Sequence, residues 1–225
     1  MYHDTIAAIA SAPGEGGLGI VRISGPASAA VAGRLFRRGV RGRPVDVARL
    51  QSHHLYYGHI VDPENGAVVD EVMLARMAAP HTYTREDVVE ISCHGGPLPL
   101  REVLRLTIAA GARQAEPGEF TLRAFLNGRI DLSQAEAVMG IVSARTSASL
   151  QLAVEGLRGA LSQRLAPARD ALVDALAYLD AAADFPEDEI PALDVAATLD
   201  RAAAALDGVL DGADLGLLYR EGAHI

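Results

Sequence analysis

The chain has 225 residues and half of them are apolar, enough for one large core or two small ones and too many for a disordered chain. It carries 20 arginines and no lysine against 29 acids, a formal net charge of 20 − 29 = −9, so neither a Walker A lysine nor a Schiff-base amine is available. Its single cysteine excludes an intramolecular disulfide and a zinc-spaced Cys/His set, which fits a reducing compartment; no run of about 18 apolar residues predicts a membrane span.

The first half reads as strands. Thr5 to Ala10, Gly19 to Ser24, His53 to Asp62, Val68 to Ala78 and Val88 to His94 are rich in Ile, Val, Tyr or Leu and bounded by turn residues, with Asn65-Gly66 as a hairpin signal. A short helix is expected over Ala27 to Phe36, and a longer one over Pro97 to Ala110 from the spacing of Leu100, Val103, Leu104 and Ile108. Strands mixed with helices and a hairpin predict an α+β domain with antiparallel pairing. The period then changes. Ser133 and Glu136 form a capping-box pattern ahead of Val138, Ile141 and Val142. Leu150, Leu157, Leu161, Leu165, Ala168, Leu172, Leu176 and Leu179 follow at spacings of 7, 4, 4, 3, 4, 4 and 3, one face of a long helix with a kink or break expected near Ala166, before Pro167. A last helix is expected from about Asp194 to Leu210. The second half is thus all-α, a partial helical bundle, and the expected domains are 1–118 and 119–225.

Several local patterns carry candidate chemistry. Gly14 to Gly19 matches GxGxxG, but the β-like run Ile20, Val21, Ile23 follows it where a dinucleotide fingerprint needs a helix; a tight turn or a loop against some other ligand remains. Arg22 and Glu90 each sit between apolar strand neighbours, so each is either exposed on the far face or held in a pocket, and a buried carboxylate there needs a partner. Cys93 and His94 are adjacent on a strand and point to opposite faces, which argues against a nucleophile and base pair. Arg34, Arg37, Arg38, Arg41, Arg43 and Arg49 face only Asp46 locally and form the one basic segment, a phosphate contact or a solvated helix end and loop. Asp180, Asp184, Glu187, Asp188 and Glu189 around Phe185-Pro186 are either a solvated helix end or a metal site.

Four blocks, DTIAAIASAPGEGGLGIVRISGP, EDVVEISCHGGP, PGEFTLRAFLNGRIDLSQAEAV and DFPEDEI, stand in one order and together resemble the N-terminal portion of the tRNA-modification GTPase family MnmE, also called TrmE. The resemblance covers essentially the whole chain. It implies a first domain similar to the tetrahydrofolate-binding domain of aminomethyltransferases, which forms a homodimer and binds 5-formyl-tetrahydrofolate or 5,10-methylene-tetrahydrofolate, followed by a helical domain. With a FAD-dependent partner protein, the family adds an aminomethyl or carboxymethylaminomethyl group at C5 of the tRNA wobble uridine, in the cytoplasm. The family's folate contacts map onto Arg22, Glu90 and Arg129. Arginine stands at 129 where lysine is common, keeping the charge and changing its geometry. No side chain is assigned the one-carbon chemistry, and no metal site is expected. Potassium and magnesium go with GTP in the family's GTPase module.

The final residues, GLLYREGAHI, resemble the approach to the family's P-loop strand, so this chain is expected not to hydrolyse GTP and to be a fragment, a truncated gene product or a deliberately shortened chain. The stripe from Leu150 to Leu179 would then lack its packing partners, which predicts self-association or partial disorder beyond about residue 145. Two rivals predict different behaviour: a free-standing folate-dependent aminomethyltransferase would turn over without tRNA, and a pure dimerisation module would not bind folate.

Overall fold

The computed structural model describes residues 3–39, 41–185 and 191–211 and divides the chain into two compact units, Met1–Ile130 and Asp131–Ile225. The expected boundary at 118 moves to 130, because the helix Glu119–Leu126 is tied ionically into the first unit. The first unit is α+β and the second is all-α, as the periodicities predict.

Unit 1 runs β1 (Ile6–Ile9), β2 (Gly16–Ser24), α1 (Ser28–Leu35), β3 (Phe36–Arg38), β4 (Arg43–Pro44), a 3-10 turn at Val47–Arg49, β5 (His54–Val61), β6 (Val68–Met77), β7 (Val88–Gly95), α2 (Pro97–Ala109), β8 (Arg113–Gln114) and α3 (Glu119–Leu126). The strands make one eight-stranded sheet in the order β4-β3-β5-β6-β7-β2-β1-β8, antiparallel except for β1 with β8. The Asn65-Gly66 turn joins β5 to β6, with Gly66 at φ +72° donating its N–H to the Asp62 carbonyl at 2.8 Å. Helix α1 stops one residue short of expectation, since Phe36 is extended and pairs with Ile60.

One face of the sheet is dry. Val21, Ile23, Ile60, Leu74, Val89 and Ile91 pack there under Val31 and Leu35 of α1 and Leu100, Val103 and Leu106 of α2. A Cβ at Gly19 would sit 2.5 Å from the Leu100 side chain, so this glycine of the GxGxxG string is required by strand-to-helix packing. The same alternation sends Arg22, Glu90 and Ala8 to the opposite face.

Unit 2 contains α4 (Leu132–Ser143), α5 (Ser147–Leu157), α6 (Ala160–Asp184) and α7 (Val195–Leu210). The cap of α4 differs from the expected Ser133/Glu136 box. Asp131 is the N-cap: it accepts from the Gln134 N–H at 2.8 Å while Gln134 Oε1 accepts from the Asp131 N–H at 2.9 Å. A carboxylate at the helix N-terminus gains from the dipole as well as the hydrogen bond, and Ser133 only donates to it. The long helical stripe is also cut elsewhere than expected. Gly159, at φ +82°, separates α5 from α6, whereas α6 continues through Pro167; one missing hydrogen bond is outweighed by the Ala- and Leu-rich turns that follow. Helices α4 and α5 approach closely at two glycines, where a Cβ on Gly140 or Gly156 would lie 3.1 Å from Ala153 or Ala137. No helix among the described residues is long and apolar enough to cross a membrane.

Candidate functional site

Arg22 and Glu90 are directly opposed on β2 and β7, and Arg22 Nε donates to Glu90 Oε1 at 2.7 Å. Their side chains are about a quarter exposed, 28% and 25%, so the pair reaches solvent from a recess rather than standing on the surface. No other hydrogen bond is made by either side chain among the described residues, which leaves a carboxylate oxygen and the terminal guanidinium nitrogens for a ligand.

Two aromatic rings flank the guanidinium. The Arg22 carbon Cζ lies 5.8 Å from the Tyr83 ring centre and 5.7 Å from that of Phe120, within reach of cation–π attraction. Arg129 lies over Tyr83 as well, at 4.9 Å. It returns to this place because Gly128 takes φ +70° after α3, and the Arg129 N–H then bonds the Ala124 carbonyl at 2.9 Å. The loop bearing Tyr83 is fastened to α3 and its end by Tyr83 Oη with Thr121 Oγ1 at 2.9 Å, and by Asn127 Nδ2 donating to the Thr84 carbonyl at 2.7 Å. The fold therefore brings Arg22, Glu90 and Arg129 to one place, with the Tyr83 ring within reach of both arginines.

Beside Arg22 opens a cavity of about 570 Å³, walled by the end of β1 and Ala10 after it, by Gln114 to Gly118 and by Phe120. Arg22 and Phe120 belong to its lining; Glu90, Tyr83 and Arg129 do not. Arg22 is thus the residue shared by the cavity and the polar cluster.

Behind the cavity wall lies an ionic lattice. The Arg123 side chain is fully buried; its Nη2 donates to Asp4 at 2.7 Å and to Glu119 at 2.9 Å, and its Nη1 lies 3.2 Å from Glu86. Arg113 joins Glu119 at 2.6 Å and Asp4 at 2.7 Å. The Arg113 hydrogen bond, working against burial, brings the Glu119 carboxyl down to about 2, helped by the Glu116 N–H and Arg123. Burial resists ionisation of Asp4, but the hydrogen bonds from Arg113 and Arg123 prevail and hold it below the usual range. Because Glu119 Oε2 also accepts the Glu116 N–H at 2.8 Å, the lattice fixes the Glu116 to Gly118 segment of the wall.

The remaining candidates separate. Cys93 is buried in the core, and burial pushes its thiol up to about 12; His94 points outward to Asp70 at 2.6 Å, so the two share no proton. No group of three or more His, Cys, Asp or Glu among the described residues is placed to hold a metal ion. Asp180 and Asp184 end α6, while Glu187, Asp188 and Glu189 lie outside the described residues. Tyr83, Phe120 and the lattice residues are not singled out by sequence reasoning. The one readable trace is Glu119 to Arg123, an i,i+4 pair.

Residues 5–129 match the family described as GTP-binding protein TrmE N-terminus, and residues 132–224 match the MnmE helical domain. The tRNA modification GTPase MnmE of Chloroflexus aurantiacus is 53% identical over 223 residues, covering 99% of this chain and 48% of that protein. A Roseiflexus protein of the same name is 52% identical over 224 residues, with 100% and 47% covered, and that of Geobacter sulfurreducens 52% over 229, with 100% and 49% covered. The chain spans about half the length of the curated relatives it matches.

Proposed function

The chain belongs to the MnmE (TrmE) family, and on that premise we propose that its first unit is the reduced-folate site of a tRNA-modifying GTPase. In this reading the unit holds 5-formyl-tetrahydrofolate or 5,10-methylene-tetrahydrofolate as one-carbon donor and makes the homodimer contact. The whole protein, with a FAD-dependent partner and GTP, adds the aminomethyl or carboxymethylaminomethyl group to the wobble uridine of tRNA in the cytoplasm.

The observation that carries the reading is the Arg22–Glu90 ladder pair beside the cavity, with Tyr83, Phe120 and Arg129 around it. Those residue types suit a pterin. Adjacent ring N–H groups match a carboxylate such as Glu90, guanidinium groups match a ring carbonyl or the carboxylates of a glutamyl tail, and aromatic faces match the flat ring. The folate supplies the one-carbon unit; the side chains bind and orient it.

Calorimetric titration of 5-formyl-tetrahydrofolate into the purified chain tests this, with Glu90→Ala and Arg22→Ala as variants. Saturable binding by the parent chain, weakened at least about tenfold in each variant, is the expected result, since a hydrogen bond to a charged group contributes about 1.5–3 kcal/mol. A folded parent chain that binds no folate, or variants that bind as well as the parent, would refute the assignment.

A further inference from the structure

The cavity sits near the β1–β8 edge of the sheet, and the opposite edge is a basic hairpin. Strands β3 and β4 turn back through Gly39 and Gly42, at φ +70° and +59°, with the Gly42 N–H donating to the Gly39 carbonyl at 3.1 Å. Arg38 and Arg43 are directly opposed across this short ladder and both are exposed. Like charges at opposed ladder positions repel, and among the described residues neither arginine forms an ion pair that would relieve the repulsion.

The rest of the ridge is also cationic. The Arg38 guanidinium is held over the Tyr56 ring at 4.9 Å, and Tyr56 Oη is itself anchored by the Gln51 N–H at 2.9 Å. Arg41 is exposed near the turn. Arg34 and Arg37 are engaged with carbonyl oxygens, Arg34 with Ala110 at 2.6 Å and Arg37 with Phe36 at 3.0 Å, and keep their charge behind the hairpin. Asp46 is the only acid between residues 34 and 49, and it faces Arg49 at 3.2 Å. A chain of net charge −9 thus concentrates uncompensated positive charge on one sheet edge.

We propose that this hairpin docks the phosphodiester backbone of a folded RNA, with Arg38 and Arg43 on phosphates. The planar guanidinium fork suits phosphate oxygens, and Tyr56 pre-orients one of the two forks. An acidic protein is a poorer fit, since protein interfaces are anchored by buried apolar side chains and Phe36, the large apolar residue of the hairpin, is wholly inside the core. RNA rather than another polyanion rests on the tRNA-modification reading above.

The test measures binding of a labelled tRNA transcript and of an unrelated RNA hairpin across a salt series, for the parent chain and for Arg38→Gln with Arg43→Gln. The double variant is expected to bind the tRNA at least about tenfold more weakly at low salt, and its log–log salt slope to fall by about two, one for each phosphate no longer neutralised. Unchanged folate binding by the double variant would show that it is folded, the Arg22–Glu90 pair on β2 and β7 being separated from β3 by β5 and β6. Equal, arginine-dependent binding of both RNAs would also uphold the ridge, since contacts to phosphates carry no sequence information. Overturning results are no RNA binding by the parent chain, or equal RNA binding by the double variant. Self-association of the variant with undiminished RNA binding would also overturn it, leaving the arginines as charges that blunt an exposed strand edge.

Discussion

The two units draw on similar apolar residues and bury them very differently. In unit 1 Phe36, Ile23, Leu35, Ile60, Leu74 and Ile91 are wholly enclosed, because two helices cover one complete face of a sheet. In unit 2 the buried side chains among the described residues are those of Ala168, Ala175, Thr198 and Ala202, where α6 meets α7; the other buried residue is Gly159 at the α5–α6 turn, and α4 and α5 bury none. Leu172, Leu176, Leu179, Leu199 and Leu206 stay 40–60% exposed beside that alanine seam. A regular 3.6-residue stripe therefore reports that a helix can bury a face, and only the surrounding surface decides whether it does. Stability should be concentrated in unit 1, with the helices of unit 2 held by caps and small-residue contacts.

Truncating one leucine in each unit is the sharpest way to break this contrast. Leu74→Ala, in the centre of the sheet core, should cost about 3–5 kcal/mol in urea unfolding, since a fully enclosed leucine loses both transfer energy and packing. Leu176→Ala, at 60% exposure on a helix and replaced by a better helix former, should change stability by less than about 0.5 kcal/mol. Comparable losses at the two sites would mean that Leu176 is covered in solution and that the contrast is false.

The same difference decides what is legible in the sequence. Period-2 strands with both neighbours apolar place Arg22 and Glu90 on the sparser face, and the structure pairs them. What no spacing encodes is their partner list: Tyr83 comes from a loop and Phe120 from the start of α3, and both reach Arg22 only through long-range closure of the sheet. Asp4, Glu86 and Arg123 are as polar as any surface residue in sequence, and their burial follows from the topology that brings β1, the Tyr83 loop and α3 together. In the helical half the apolar period signals helix, and the breaks fall where the period is silent. Proline attracts attention as a helix breaker, yet Gly159 in the left-handed region ends α5, and Asp131 caps α4 two residues before the expected serine.

Acid should act on the lattice of unit 1 with a smaller effect. The Glu119 carboxyl titrates at about 2 in the folded chain against an ordinary value of 4.5, so its contribution is complete above about pH 4.5 and is lost as pH falls toward 2. That loss amounts to about 3 kcal/mol or less by linkage. Glu119→Gln should flatten the acid limb of the unfolding free energy of unit 1, as followed by urea denaturation at stepped pH; an unaltered limb would remove Glu119 as its source. The Asp131 carboxyl is also held low, by the Ser162 hydroxyl at 2.6 Å and the backbone of Gln134, so the same scan should loosen the α4 cap of unit 2 by a lesser amount.

The smallest expected effect is at the exposed end of β7, and it runs in the opposite pH direction. The Asp70 carboxylate accepts from the His94 N–H at 2.8 Å and meets its ring Nδ1 at 2.6 Å, and this hydrogen bond raises the imidazole above its ordinary 6.5, with Glu71 adding a weaker pull. A raised folded value means that the pair stabilises the strand end fully below pH 6.5 and ceases to do so as pH climbs through the higher folded value. Asp70→Asn should return the His94 ring resonances, followed by NMR, toward ordinary titration while leaving Arg22–Glu90 intact, because Asp70 lies on β6 beyond the reach of that pair. A His94 titration that Asp70→Asn does not move would assign the shift to some other charge. The His94 N–H bond to the Asp70 carboxylate would then anchor the strand end independently of the imidazole.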